Sequence, residues 1–148
     1  MDGRDARAAL ADMADARNRL VTTTRYPAWR HAAFGAVMAI FVGGIGLPTA
    51  FNMAATVIGL AAVTVLAQHD RKTSGMFVNG FRAGRTRWVS IVLMIAMLAL
   101  MFVQVRVRFS VGPGLWTAVI AGVAFAGGTV ASIVWWRAYV ADLAQGRA

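Results

Sequence analysis

Apolar residues gather in four long runs along the chain, and all of the charged residues lie between or outside them. The runs cover residues 32–47, 50–68, 88–105 and 115–136. About 20 apolar residues in a helix cross the roughly 30 Å hydrocarbon core of a bilayer. Surface helices of soluble proteins show a polar stripe at a period of 3.6 residues, which these runs lack. The pattern predicts four membrane-spanning helices at about 29–47, 49–68, 88–105 and 115–136.

The composition agrees with a membrane protein. Hydrophobic residues make up 59% of the chain and charged residues only 14%, against about 25% charged residues in a soluble domain. The chain has no cysteine, which excludes a disulfide scaffold and a zinc-thiolate site. We therefore expect an all-α fold, an integral membrane four-helix bundle over residues 26–148, and we disfavour a soluble bundle of four buried helices.

The basic residues are distributed unequally between the two sides of the predicted bundle. The N-terminal tail, the loop 69–87 and the C-terminal tail 137–148 hold 13 of the 15 Lys and Arg residues, and the outer connections hold only Arg106 and Arg108. Lys and Arg accumulate in the cytoplasmic loops of membrane proteins. We therefore predict that both termini face the cytoplasm, with anionic lipid headgroups next to the basic segments.

Residues 1–25 are predicted to form a cytosolic N-terminal amphipathic helix. Apolar side chains between Asp5 and Val21 fall near one face, and charged side chains lie elsewhere. Such a helix either lies on the inner leaflet or docks on a partner. Alternatively, it is a short solvated helix that packs on the protein's own cytosolic loop.

The loop 69–87 is basic and contains aromatic residues. Asn79 and Gly80 favour the positive φ angles of a two-residue hairpin turn, so the loop predicts a small hairpin between helices two and three. Binding of single-stranded nucleic acid is an alternative, but we expect no nucleic acid partner and favour contact with anionic headgroups. The residues assigned to this contact are Arg71, Lys72, Phe77, Phe81, Arg82, Arg85 and Arg87.

Catalytic chemistry is not indicated by the sequence. None of the four apolar runs contains Lys, Arg, Asp or Glu, and such residues are the usual markers of proton and ion pathways in membranes. There is no nucleophile elbow, HExxH, P-loop or pair of carboxylates. We expect no enzyme activity, no catalytic residue, no metal and no cofactor.

Two histidines are the candidates for cofactor binding that we consider. His31 begins helix one and His69 ends helix two, so an antiparallel hairpin would place both at the cytoplasmic edge. A bis-histidine haem site, with neighbouring arginines for the propionates, is one hypothesis. The alternative, which we favour, is two interfacial histidines in contact with water.

Asn52 and Gln104 lie near the outer ends of helices two and three. They are predicted to share a hydrogen bond there, either as interhelical contacts worth about 0.6 kcal/mol or as the lining of a path for a solute.

Helix four carries the clearest packing pattern. Small residues recur at every fourth position in two sets, which are Ala118, Gly122 and Ala126, and Ala124, Gly128 and Ser132. Small residues let the backbones of two membrane helices approach closely. Two such faces on one helix predict a second helix neighbour, from a second copy or a membrane partner. The alternative is that both faces pack inside one monomer.

Several short motifs resemble a group of small four-span bacterial inner-membrane proteins of unassigned function. The motifs are Tyr26-Pro27-Ala28-Trp29, Thr73-Ser74-Gly75 and Gly80-Phe81-Arg82-Ala83-Gly84-Arg85-Thr86-Arg87. The resemblance implies a four-helix bundle in the bacterial inner membrane and transfers no catalytic residue.

The function predicted from these features is a non-catalytic accessory or scaffold subunit that self-associates or binds a membrane partner. A small channel or carrier for a neutral or anionic solute, lined by Asn52 and Gln104, is the first alternative. A haem-binding electron-transfer module with His31 and His69 is the second.

Overall fold

The computed structural model describes residues 7–9, 11–12, 27–74 and 85–144. Within this part of the chain lie four long helices, α1 (Ala28–Ile45), α2 (Thr49–Ser74), α3 (Arg85–Ser110) and α4 (Leu115–Ala144). All four are long and apolar enough to cross a membrane. The prediction of an all-α, membrane-spanning four-helix bundle is confirmed, and the chain is a multi-pass membrane protein.

Short connections join the helices at one end of the bundle. α1 ends where the backbone N–H of Gly46 bonds to the carbonyl of Gly43 at 3.0 Å. Because proline has no N–H to donate, Pro48 interrupts the helical hydrogen bonding between α1 and α2. Gly112 adopts a φ of +82° between α3 and α4, a conformation that glycine adopts without steric cost. We call this the connection end, and the opposite end, where α1 begins, the tail end.

At the tail end the helices continue beyond the apolar runs. Residues 69–74 belong to α2, residues 85–87 to α3 and residues 137–144 to α4. The loop assigned to residues 69–87 is therefore partly helical, as is the C-terminal tail. Tyr139 and Asp142 are each only 5% exposed, so the last turns of α4 pack on the protein.

The bundle is arranged around α1. This helix packs against α4 most extensively, against α2, and more lightly against α3, and α4 also packs against α3. α2 has extensive contacts with α1 alone. The fold is thus a compact group of α1, α3 and α4, with α2 attached to one side.

Close backbone approach joins α1 to α4. A Cβ at Gly35 would lie 2.5 Å from the carbonyl oxygen of Phe125, and a Cβ at Gly128 would lie 3.2 Å from Cα of Gly35. Only glycine allows this separation, and dispersion between the two backbones is a main source of helix association in membranes. Toward the connection end, Val42 and Ala124 are fully buried in the apolar core.

Large apolar side chains cover the outer surfaces of α2 and α3. Phe51 and Ile58 on α2 are 65% and 57% exposed, and Val92 and Phe102 on α3 are 63% and 68% exposed. A soluble monomer rarely exposes apolar patches of this extent. In a membrane these faces would contact the lipid chains.

Two predicted elements fall mainly outside the described residues. In the N-terminal segment residues 7–9 and 11–12 are helical, and the rest of the predicted amphipathic helix is not described. The predicted hairpin around Asn79 and Gly80 also lies outside the described residues, so both predictions stay as they are.

Candidate functional site: polar contacts at the two ends of the bundle

A bidentate ion pair joins α1 to α2 at the tail end. Arg30 donates from Nε to Oδ1 of Asp70 at 2.7 Å and from Nη2 to Oδ2 of the same carboxylate. The two side chains are only 16% and 19% exposed. Arginine and carboxylate in this paired geometry hold each other's orientation as well as their charge. The guanidinium plane of Arg30 is therefore fixed relative to both helices.

His31, the next residue along α1, points to α4 instead. Its Nδ1 lies 2.9 Å from Oγ of Ser132, and the two residues are each 8% exposed. Either atom can donate, according to the tautomer of the imidazole ring. Consecutive residues of α1 thus bind the two neighbouring helices, Arg30 on the α2 side and His31 on the α4 side.

A polar pocket opens beside these contacts, between α1, α3 and α4. Its volume is about 210 Å³, and its polar lining consists of Arg30, Ser90 and Ser132, with Phe34 and Trp135 among the remaining lining residues. Ser90 donates to the backbone carbonyl of Thr86 at 3.2 Å. The indole ring of Trp135 stacks on Tyr139 with centroids 5.5 Å apart, which orients one wall of the pocket.

An apolar groove between α3 and α4 continues from this pocket. Its volume is about 740 Å³, and it extends from Trp88 to Val103 along α3. Three residues, Val89, Leu93 and Ala131, line both the pocket and the groove. The polar pocket and the apolar groove are therefore adjacent.

The two histidines proposed for haem make different contacts. The ring of His69 meets Trp29 edge to face, with centroids 5.1 Å apart, while His31 lies against Ser132 on α4. Among the described residues no group of three or more His, Asp or Glu side chains is placed to hold a metal ion. The haem hypothesis stays untested. In the structure each of the two imidazole rings contacts a residue other than the second histidine.

At the connection end a second polar group is buried. Gln104 is fully buried, and neither its Oε1 nor its Nε2 has a hydrogen-bond partner among the described residues; the same holds for Oγ1 of Thr117. The expected hydrogen bond between Gln104 and Asn52 is thus not formed. Instead, the Gln104 amide packs on Gly46, where a Cβ would lie 1.7 Å from Nε2. The solute path through Asn52 and Gln104 stays a prediction.

Arg108 holds the connection end together. It donates from Nη1 to the carbonyl of Ile45 at 3.1 Å and from Nη2 to Oγ1 of Thr49 at 3.4 Å. The carbonyl of Ile45 lies at the end of α1, where cations interact favourably with the helix dipole. This arginine therefore links α3 to the turn between α1 and α2.

The two small-residue faces of α4 have different surroundings. The set Ala124, Gly128 and Ser132 is buried, and Gly128 lies against Gly35 and Met38 of α1. The set Ala118, Gly122 and Ala126 is exposed, and a Cβ at Gly122 would meet nothing within 4 Å. One face thus serves the internal packing, and the other faces away from the protein.

The basic residues assigned to the lipid headgroups are described only in part. Arg71, Lys72 and Arg87 are exposed at the tail end. Phe77, Phe81 and Arg82 lie outside the described residues, and of Arg85 only the helical backbone is described.

Sequence reasoning missed the Arg30–Asp70 pair, although a signal was present. Asp70 is the only acidic residue between Asp15 and Asp142, and an antiparallel hairpin brings the end of helix two beside the start of helix one. Opposite charges at those two positions indicate a pair. The pocket beside Ser90 and Ser132 had no comparable signal, since it depends on how three helices cross.

Comparisons of the chain with models of protein families, with curated proteins and with solved structures find no match. The function of the protein is therefore inferred from the residues and contacts of this chain alone.

Proposed function

We propose that the protein is a non-catalytic subunit of the bacterial inner membrane that associates with a second copy of itself through the outer face of α4. This face is defined by Ala118, Gly122 and Ala126. The observation that carries the proposal is the difference between the two small-residue faces. The inner face packs closely on α1, whereas the outer face has the same spacing and space for a second helix.

Small residues at a spacing of four favour helix pairing in lipid. Leucine-sized side chains on two facing helices hold the backbones apart, whereas glycine and alanine let them come into direct contact. The inner face gives an example within this protein, where a Cβ at Gly128 would lie only 3.2 Å from Cα of Gly35. Lipid chains can also cover the outer face, but they gain nothing from its particular spacing.

The proposed orientation places the tail end in the cytoplasm. The basic residues concentrate on that side of the sequence, and Arg71, Lys72 and Arg87 are exposed there. Cytoplasmic loops of membrane proteins carry this excess of Lys and Arg. The exposed arginines would lie close to the anionic headgroups of the inner leaflet.

Disulfide crosslinking tests the self-association. Because the chain has no native cysteine, Gly122→Cys provides a single thiol on the outer face of α4. Cysteines join when their Cα atoms lie about 4.4–6.8 Å apart, a separation that a small-residue contact allows. We expect G122C to form a disulfide-linked dimer in native membranes under mild oxidation, and A54C, on the exposed side of α2, to stay monomeric.

A bulky substitution gives an independent test. Gly122→Leu should shift the purified protein from dimer to monomer in mild detergent, and the monomer should remain folded, since nothing within the same chain lies within 4 Å of that position. The proposal is wrong if G122C crosslinks no better than A54C and the native protein is monomeric at every concentration.

A further inference from the structure

We propose that the polar pocket and the α3–α4 groove together bind one anionic phospholipid of the leaflet at the tail end. The phosphate would lie in the pocket beside Arg30 and Ser132, and one acyl chain would follow the groove between α3 and α4. This site is separate from the outer face of α4, because Gly122 lines neither cavity.

The pocket presents groups that suit a phosphate. Arg30 lines it, and guanidinium groups recognise phosphate oxygens by charge and by their planar arrangement of N–H donors. Among the described residues no carboxylate lines the pocket, since Asp70 meets Arg30 from the α2 side. A hydroxyl that accepts from His31 retains its own hydrogen, so Ser132 can donate to a phosphate oxygen in that tautomer.

The pocket also lies at the depth of the headgroups. Arg30 is in the first turn of α1, and Trp135 and Trp136 are the last residues of the fourth apolar run, just before Arg137. Tryptophan residues collect where the hydrocarbon meets the polar headgroups. A phosphate bound in the pocket would therefore lie at the same depth as the phosphates of the surrounding lipids.

The groove has the length and chemistry that an acyl chain needs. From Val89 to Val103 it extends along α3 for about 21 Å, at a rise of 1.5 Å per residue, while one leaflet supplies about 15 Å of hydrocarbon. Its described lining residues are uncharged and almost all apolar, with Trp88 at the tail end. Its volume of about 740 Å³ is in the range of small-molecule sites.

The adjacency of the two cavities favours a lipid over a free phosphate ion. Ala131 lines both of them, so a chain attached to a phosphate in the pocket would have to pass only this small side chain to reach the groove. A free anion would use the pocket alone and would leave the apolar groove to other lipids. A molecule with a phosphate at one end and a hydrocarbon chain at the other matches both parts.

Native mass spectrometry of the full-length protein tests the site. The protein would be titrated in mild detergent with phosphatidylglycerol and with phosphatidylcholine of identical acyl chains. We expect one phosphatidylglycerol to bind roughly tenfold more tightly than phosphatidylcholine, because phosphatidylcholine carries a cationic choline next to its phosphate, which Arg30 would repel. Excess inorganic phosphate should displace little of it, because phosphate does not occupy the groove.

Ala131→Phe places an aromatic ring where the pocket meets the groove and should reduce phosphatidylglycerol binding at least tenfold. The matched control is Ala54→Phe, which makes the same change on the exposed side of α2 and should leave binding unchanged. The thermal midpoint of each variant shows whether it is folded. If A131F is not folded, Ser132→Ala provides the smaller change, and it should weaken binding of phosphatidylglycerol relative to the unaltered protein.

The charge of the pocket is tested by the double variant R30Q/D70N, which removes both members of the ion pair and leaves no lone carboxylate. It should bind the two lipids equally. Equal binding of the two lipids by the unaltered protein, or undiminished binding by folded A131F, would overturn the proposal. Displacement by inorganic phosphate at equal strength would assign the pocket to a free anion instead. None of these results depends on dimer formation through Gly122.

Discussion

Arg30 and Asp70 lie 40 residues apart in the sequence, and their side chains form a paired hydrogen-bonded ion pair between α1 and α2. The contact matters more than an exposed ion pair would, because both side chains are mostly buried. It also matters because α2 has extensive contacts with α1 alone. The pair therefore fixes the position of an outer helix that has few other constraints.

Removing one member of the Arg30–Asp70 pair should loosen the bundle. We expect Asp70→Asn and Arg30→Gln each to lower the free energy of unfolding by about 1–3 kcal/mol, the cost of leaving a charged hydrogen-bonding group without its partner. The double variant should lose less than the sum of the two, since neither charge is then left alone. Thermal midpoints in one detergent measure this, and strictly additive losses would contradict a direct interaction.

A methyl group at Gly35 should separate α1 from α4. Its Cβ would lie 2.1 Å from Oγ1 of Thr129 and 2.5 Å from the carbonyl oxygen of Phe125. A side chain can rotate away, but a backbone carbonyl moves only with its helix. We expect Gly35→Ala to lower the free energy of unfolding by about 1–3 kcal/mol, as overpacking commonly does. The matched control is Gly122→Ala, which meets nothing within 4 Å and should leave the midpoint of the monomer unchanged or slightly raised; equal losses would contradict this packing.

Replacing Gln104 by methionine should stabilise the protein. The amide is fully buried with no hydrogen-bond partner among the described residues, and a buried unsatisfied polar group costs about 1–3 kcal/mol. Methionine has a similar shape and no amide, so Gln104→Met should raise the thermal midpoint. Asn52→Met makes the same type of change at a half-buried position and should have a smaller effect. A lower midpoint for Q104M would contradict this expectation and would mean that the amide makes a stabilising contact.

Single cysteines should report the orientation in the membrane. We expect Gly114→Cys, at the connection end, to react with a membrane-impermeant maleimide added to intact bacterial cells. Lys72→Cys, at the tail end, should react only after the cells are permeabilised. The positive-inside distribution of Lys and Arg is the reason for this expectation. Labelling of K72C in intact cells would reverse the proposed orientation.

The spans were predictable because each one is a long run without charge. Their helical ends were not, since helix formation continues past the point where the apolar composition stops. In α2 the residues 69–74 carry charge and remain helical, and in α4 the buried residues Tyr139 and Asp142 lie three positions apart, on one side of the helix. A prediction based on hydropathy alone ends each helix at the membrane surface and therefore misses these last turns.

The site was predictable only in part. Spacing alone identified both small-residue faces of α4, but it could not decide which one packs on α1, because the rotation of a helix is set by its neighbours. The contact of Gln104 with Gly46 and Thr117 could not be predicted from the sequence either, since it joins the ends of three helices at one depth. The pocket beside Arg30 depends on the same crossing of helices.

The attachment of α2 to a single neighbour has a consequence for the order in which the helices unfold. In a tightly interlocked structure every segment opens together, whereas a segment held on one side can detach while the remainder stays intact. We expect backbone amides of α2 to exchange their hydrogens for deuterium sooner than those of α1 and α4. Mild heating should then produce a partly opened form in which three helices keep their arrangement and the second has moved into the surrounding lipid.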